Sequence, residues 1–184
     1  MKGNRAALVV VVAIVLVAAG WWLFKRSTRA ASIDLIASFE TAKKQPDASM
    51  FSVGDATLNG ETRKAIAVQP TVGTRLTYKV MVPDDAWLRV YVGLKPEAWE
   101  KPGDGVLFFF GVSDGRTWDP LFTQVVDPFN NKADRRWIQV MVDLSAYAGE
   151  EVDVIFNTRS AQEGKPDNHD NDLALWGTPE IVVR

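Results

Sequence analysis

The sequence predicts an all-β domain, an antiparallel β-sandwich, preceded by one N-terminal transmembrane α-helix. Three observations carry this. Residues Ala6 to Phe24 form an unbroken run of 19 without charge. From Thr74 onward apolar and polar residues alternate with a period of two. Gly, Pro and Asp then interrupt these runs about every 8 to 12 residues, the spacing of short strands joined by turns.

At about 1.5 Å of rise per residue, the Ala6–Phe24 run spans roughly 28 Å as a helix, close to the thickness of a bilayer core. Residues 1–5 are expected in the cytoplasm, 6–24 in the membrane and 25–32 as a juxtamembrane tether, with 33–184 folding outside the cytoplasm, in the periplasm of a bacterium. Trp21 and Trp22 followed by Lys25 and Arg26 place an indole pair and then two cations at the headgroup level, as at the end of an anchor. A cleaved signal peptide competes with this reading through the small residues Val17 to Gly20, and the aromatic and basic collar favours retention. Lys2 and Arg5 nearly balance Lys25, Arg26 and Arg29, so the short head and the long following segment set the orientation.

The soluble part has the size of one domain. After Ala30 there are 16 basic and 23 acidic residues, a net charge of −7. Such a balance argues against nucleic acid and against a polybasic lipid-binding surface. The chain has no Cys, and a domain of this size does not need disulfides.

The strands follow in order. Leu76, Tyr78, Val80 and Val82 share one face of a strand whose other face carries Arg75, Thr77, Lys79 and Met81. Pro83-Asp84-Asp85 is a turn, since proline fixes φ and aspartates bond backbone amides. Trp87 to Leu94 alternates again. Gly105 to Val112, with Phe108, Phe109 and Phe110, is apolar throughout and suits a strand facing a second sheet. Trp137 to Leu144 and Val152 to Asn157 alternate, and Leu173–Trp176 and Glu180–Val183 close the chain. Ile33 to Phe39 is compatible with a first strand or a short helix.

Several segments together resemble the galactose-binding-like jelly rolls, in particular the modules appended to bacterial sulfatases and membrane glycosyltransferases. They are Val92-Gly93-Leu94-Lys95-Pro96-Glu97-Ala98-Trp99, Gly103-Asp104-Gly105-Val106, Asp127-Pro128, Arg136-Trp137, Asp143-Leu144-Ser145-Ala146-Tyr147-Ala148-Gly149 and Trp176-Gly177-Thr178-Pro179. The resemblance implies a jelly-roll sandwich, mostly accessory rather than catalytic, whose end loops can hold a sugar. Some relatives carry a structural calcium.

Catalysis finds little support. The single histidine, His169, sits in a polar segment, and no nucleophile elbow, phosphate loop or dinucleotide fingerprint is present. Asp167, Asp170 and Asp172 are weak calcium candidates, because their cluster lacks the glycine of a helix-loop-helix calcium loop and Asn/Asp runs are ordinary turn formers. The better lead is aromatic. Trp99 and Trp118 lie in segments rich in Pro, Gly and Asp, where an exposed ring would stack on a sugar, with Arg116, Asp119 and Asn130 to bond hydroxyls; the competing role is to plug the ends of the sandwich. The expected function is a non-catalytic, membrane-anchored interaction module, an accessory or structural subunit of a larger membrane complex, needing no cofactor. The second reading is a carbohydrate-binding module held at the envelope.

Overall fold

The computed structural model describes residues 32–69, 74–161 and 171–184, and Ser32 to Arg184 form one compact unit. The described residues hold eleven strands: β1 (Ile33–Asp34), β2 (Lys43–Gln45), β3 (Phe51–Leu58), β4 (Glu61–Val68), β5 (Thr74–Met81), β6 (Ala86–Leu94), β7 (Val106–Ser113), β8 (Trp118–Val126), β9 (Ile138–Asp143), β10 (Glu151–Ser160) and β11 (Ala174–Val183). Every pairing is antiparallel. The first sheet runs β3-β4-β11-β6-β9, with β1 continuing the β4 side of β11, and the second runs β2-β5-β10-β7-β8. We call them the front-closed sheet and the open sheet, for reasons that their outer faces supply.

Alternation decides which residues meet between the layers. Leu76, Tyr78 and Val80 of β5, Phe108, Phe110 and Val112 of β7, and Val152, Val154 and Phe156 of β10 all point inward and are at most 5% exposed. Across from them stand Leu88, Val90 and Val92 of β6 and Trp176 of β11, each at most 1% exposed. Trp176 bridges the layers, edge-on to Phe108 at 5.0 Å and to Phe156 at 4.9 Å, and Phe156 in turn meets Phe110 at 5.1 Å. Each such large side chain contributes about 1.5–3 kcal/mol by leaving water, with edge-to-face geometry adding to it.

The expected strands from Thr74 onward are present, with two refinements. Leu173–Trp176 and Glu180–Val183 are parts of one strand, β11, whose register shifts between Gly177 and Glu180 around Thr178, a residue with φ of 39°. Ile33 to Phe39 resolves into a two-residue strand, a turn in which the Asp34 carboxylate accepts from the amides of Ile36 and Ala37, and a 3-10 turn at Phe39–Thr41. Strands β3 and β4 form a hairpin whose tip, Asn59-Gly60, has positive φ at both positions (49° and 81°), the geometry that Asn-Gly supplies readily. Among the described residues no helix is long and apolar enough to cross a membrane. The predicted span Ala6–Phe24 and its interface residues Trp21, Trp22, Lys25 and Arg26 lie outside the described residues.

Candidate functional site

The two outer faces of the sandwich differ. On the open sheet the register sets out rows of outward residues: Lys79, Asp153, Ser113 and Trp118; then Lys43, Thr77, Ile155, Gly111 and Pro120; then Gln45, Arg75, Asn157, Phe109 and Thr123; then Arg159, Leu107 and Val125. Four large hydrophobic side chains are exposed among the described residues, and three of them, Met81, Trp118 and Val125, stand on this one face, at 58%, 41% and 46% exposure. They stand apart from one another on it, Met81 on β5 and Trp118 and Val125 at the two ends of β8.

Trp118 reaches the face because of a bulge. Phe110 pairs with Phe122 and Gly111 with Pro120, so Leu121 is an extra residue in β8. Were Leu121 instead paired with Gly111 in an unbroken alternation, Asp119 would point outward and Trp118 toward the core. The indole then settles over Gly111: a Cβ there would lie 2.5 Å from Trp118 Cη2 and 2.6 Å from Cζ2. The preceding hairpin is tied by Asp114, whose carboxylate accepts from the amides of Arg116 and Thr117, both at 2.8 Å. The Thr117 amide, then that of Arg116, hold the Asp114 carboxyl below its ordinary range.

Polar groups share the face with the ring, farther across the sheet. Arg75 Nε donates to Asn157 Oδ1 at 3.2 Å, and Asn157 is only 3% exposed, so the exposed guanidinium is held from beneath by a buried amide. Arg159 lies over the Phe109 ring at 5.6 Å. Lys79 spans Glu151 and Asp153 at 3.5 and 3.8 Å.

The front-closed sheet, by contrast, has a second small core on its outside, made of Leu58, Ala65, Trp137 and Leu175 with Ala56, Ala67, Tyr91 and Trp99 packed against it. Trp137 lies on Gly177, where a Cβ would come within 2.8 Å of its ring, and its Nε1 donates to the Glu61 carbonyl at 2.9 Å. Leu58, at the tip of the β3–β4 hairpin, reaches across β11 to Gly93 of β6. The Arg63 guanidinium stacks on Tyr91 at 3.3 Å. Here the aromatic rings are structural.

A groove of about 380 Å³ opens at the edge of the open sheet, between Leu35, Thr41 and Tyr78 to Met81 of β5. Its tyrosine is buried, its phenol pushed to a higher pKa by that burial, and it offers no exposed ring for stacking.

No family model matches the chain. It is 36% identical over 105 residues to an uncharacterized protein of Archaeoglobus fulgidus, a stretch covering 56% of this chain and 25% of that protein, so the chain spans about a quarter of the relative's length. Among solved structures it is similar to Clostridium perfringens ZmpB, a structure holding a catalytic domain with two CBM51 domains, at 19% identity over 85% of this chain and 14% of that one, TM-score 0.51. It is likewise similar to the CBM51 of Clostridium perfringens GH95 in complex with methyl-galactose, at 14% identity over 83% of this chain and all of that one, TM-score 0.51. The domain has the galactose-binding-like jelly-roll fold.

The jelly roll separates the residues that the sequence grouped as a sugar site. Trp118, Arg116 and Asp119 lie where β7 ends and β8 begins, whereas Trp99 and Asn130 lie at the opposite end, beyond the ends of β6 and β8. Only Trp118 faces the open sheet's outer surface as a ring platform. Asp119 is turned the other way by the bulge and accepts the Tyr147 hydroxyl. Trp99 is half-buried, its Nε1 donating to the Leu94 carbonyl at 2.9 Å while its own carbonyl accepts from Arg135 at 2.8 Å. Asn130 bonds Asp127 through its backbone amide at 3.1 Å and its side-chain amide at 2.7 Å. These two residues tie loops rather than line a shared site. Asp172 is 3% exposed beside Asn171 and Phe129, and Asp167 and Asp170 lie outside the described residues. Among the described residues no group of three or more His, Asp or Glu side chains could hold a metal.

Sequence reasoning missed that Phe109, Asn157 and Arg75 share a sheet face with Trp118. The signal lay in the register: once β7 pairs with both β8 and β10, these residues and Gly111 fall on one face.

Proposed function

We propose that the jelly roll is a non-catalytic carbohydrate-binding module whose ligand lies on the outer face of the open sheet. The observation that carries this is Trp118, seated on Gly111 with 41% of its surface exposed, on a face that also holds the Arg75–Asn157 pair. The C–H face of a pyranose is apolar and stacks on the electron-rich face of an indole, and a few fixed polar groups then select hydroxyl patterns. Support also comes from the fold shared with CBM51 structures, one of them in complex with methyl-galactose. This reading has more behind it than that of an accessory subunit in a membrane complex, which rests on the architecture of one apolar run beside one domain. The Ala6–Phe24 run supports a module held at a membrane, with its sandwich outside the cytoplasm.

The test is calorimetric and array-based glycan binding by the full chain in mild detergent, with Trp118→Ala beside it. Binding that disappears in the variant supports the proposal. Absence of binding to any glycan, or binding indifferent to Trp118, refutes it.

A further inference from the structure

We infer that the open face selects acidic polysaccharides over neutral ones. The inference rests on the carbohydrate reading and adds the class of ligand.

The first ground is charge. The soluble part carries −7 overall, yet among the described residues those facing outward on the strands of the open sheet include four cations, Lys43, Arg75, Lys79 and Arg159, against two acids, Glu151 and Asp153. Both acids are within reach of the one Lys79. Lys43 and Arg75 lie farther along the sheet, out of reach of these two acids. A positive face on an acidic domain concentrates polyanions and steers them to it.

The second ground is geometry. Arg75 donates its Nε to buried Asn157, which orients the guanidinium, and the residue as a whole stays exposed. A guanidinium so oriented is suited to a carboxylate or a sulfate through paired N–H···O bonds. A neutral sugar hydroxyl uses only part of that fork.

The third ground is distance. Trp118 is on β8 and Arg75 on β5, three strand spacings apart in the order β5-β10-β7-β8 and two rows apart along the strands, or roughly 14 Å across and roughly 13 Å along, about 20 Å in all at about 4.8 Å per spacing and about 3.3 Å per residue. Phe109, with Arg159 over its ring, lies between them. One monosaccharide cannot span ring and cation, whereas a chain can stack at Trp118 and place an anionic substituent at Arg75. A uronate carboxylate and a sulfate ester share the required chemistry.

The test compares polygalacturonate, dextran sulfate and neutral galactan by calorimetry on the full chain, with Arg75→Gln, Lys43→Gln and Trp118→Ala, each checked to be folded by a cooperative melting transition above the assay temperature. The expected result is that an acidic polymer binds at least about tenfold more tightly than galactan, that Arg75→Gln weakens it about fivefold or more while leaving galactan unchanged, and that Trp118→Ala abolishes it. Preference for the carboxylated or the sulfated polymer identifies the anion. Should Arg75→Gln fail to fold, Lys43→Gln carries the same comparison with a smaller expected loss. Galactan bound as tightly as the acidic polymers, still dependent on Trp118, overturns the inference and leaves the carbohydrate reading standing. Acidic binding that survives Trp118→Ala is simple ion exchange and overturns the inference too. No glycan bound at all removes both.

Discussion

Trp118 occupies the space that a side chain on Gly111 would need, its Cη2 2.5 Å from the position of a Cβ there, and the Asp119 carbonyl crowds the same point. The ring and the glycine form one unit. Gly111→Ala is therefore expected to push the indole off the face and to strain the β7–β8 pairing, costing about 1–3 kcal/mol of stability and abolishing glycan binding. Thermal melting together with calorimetry checks both, and retained affinity would show that the seat of the ring is immaterial.

Two tryptophans on the two outer faces should respond in opposite ways. Trp118→Ala is expected to cost only about 1 kcal/mol of stability and all detectable sugar binding. Trp137→Ala removes a ring that is 6% exposed, orphans the Glu61 carbonyl and empties the small outer core, so a loss of about 3–5 kcal/mol is expected. Denaturant melts of the two variants should rank them accordingly.

Trp99 and Asn130 lie at the other end of the sandwich from Trp118. Trp99→Ala is expected to destabilise by about 2–3 kcal/mol through lost packing and the freed Leu94 carbonyl, with glycan affinity unchanged. Asn130→Ala should likewise leave affinity unchanged. A several-fold loss of affinity in either, without unfolding, would place a ligand at that end.

Tyr147 links the turn after β9 to β8 through Asp119. Burial, then the hydrogen bond to Asp119, push its phenol up to about 12. An unfolded tyrosine loses its proton at about pH 10, so between there and pH 12 the folded state keeps a proton that the unfolded state has released. The stabilisation is complete below pH 10 and is lost as pH rises toward 12. Tyr147→Phe should flatten that part of the stability profile. Urea melts from pH 8 to 11.5 would read it, and identical slopes in both proteins would argue against the assignment.

Period-two alternation made the strands from Thr74 to Leu94 and from Trp137 to Asn157 legible, because half-buried strands write their faces directly into the chain. The β3–β4 hairpin was harder to see. Its strands carry Ala, Gly and charged residues on both sides, and the informative mark was the Asn59-Gly60 pair at its tip. Strand β8 was hidden for a related reason: Asp119-Pro120 reads as loop, and Pro120 is tolerated because β8 is an edge strand. The candidate site was legible only as one residue. Whether a tryptophan packs or projects depends on glycines in neighbouring strands, Gly111 beneath Trp118 and Gly177 beneath Trp137, and long-range register is not written beside either ring.

The extra residue Leu121 absorbs one place in the count without changing which faces are shown. With Leu121 bulged out of the ladder, Phe122 stays opposite Phe110 and Pro120 opposite Gly111, and loss of Leu121 would keep both pairings and leave the indole in solvent. Drawing Leu121 into the ladder instead would move every residue before it by one place, retracting the indole and presenting the Asp119 carboxylate. The face is thus robust to a one-residue deletion at the bulge and sensitive to a one-residue insertion between Trp118 and Pro120, which would turn the ring inward on an otherwise identical scaffold.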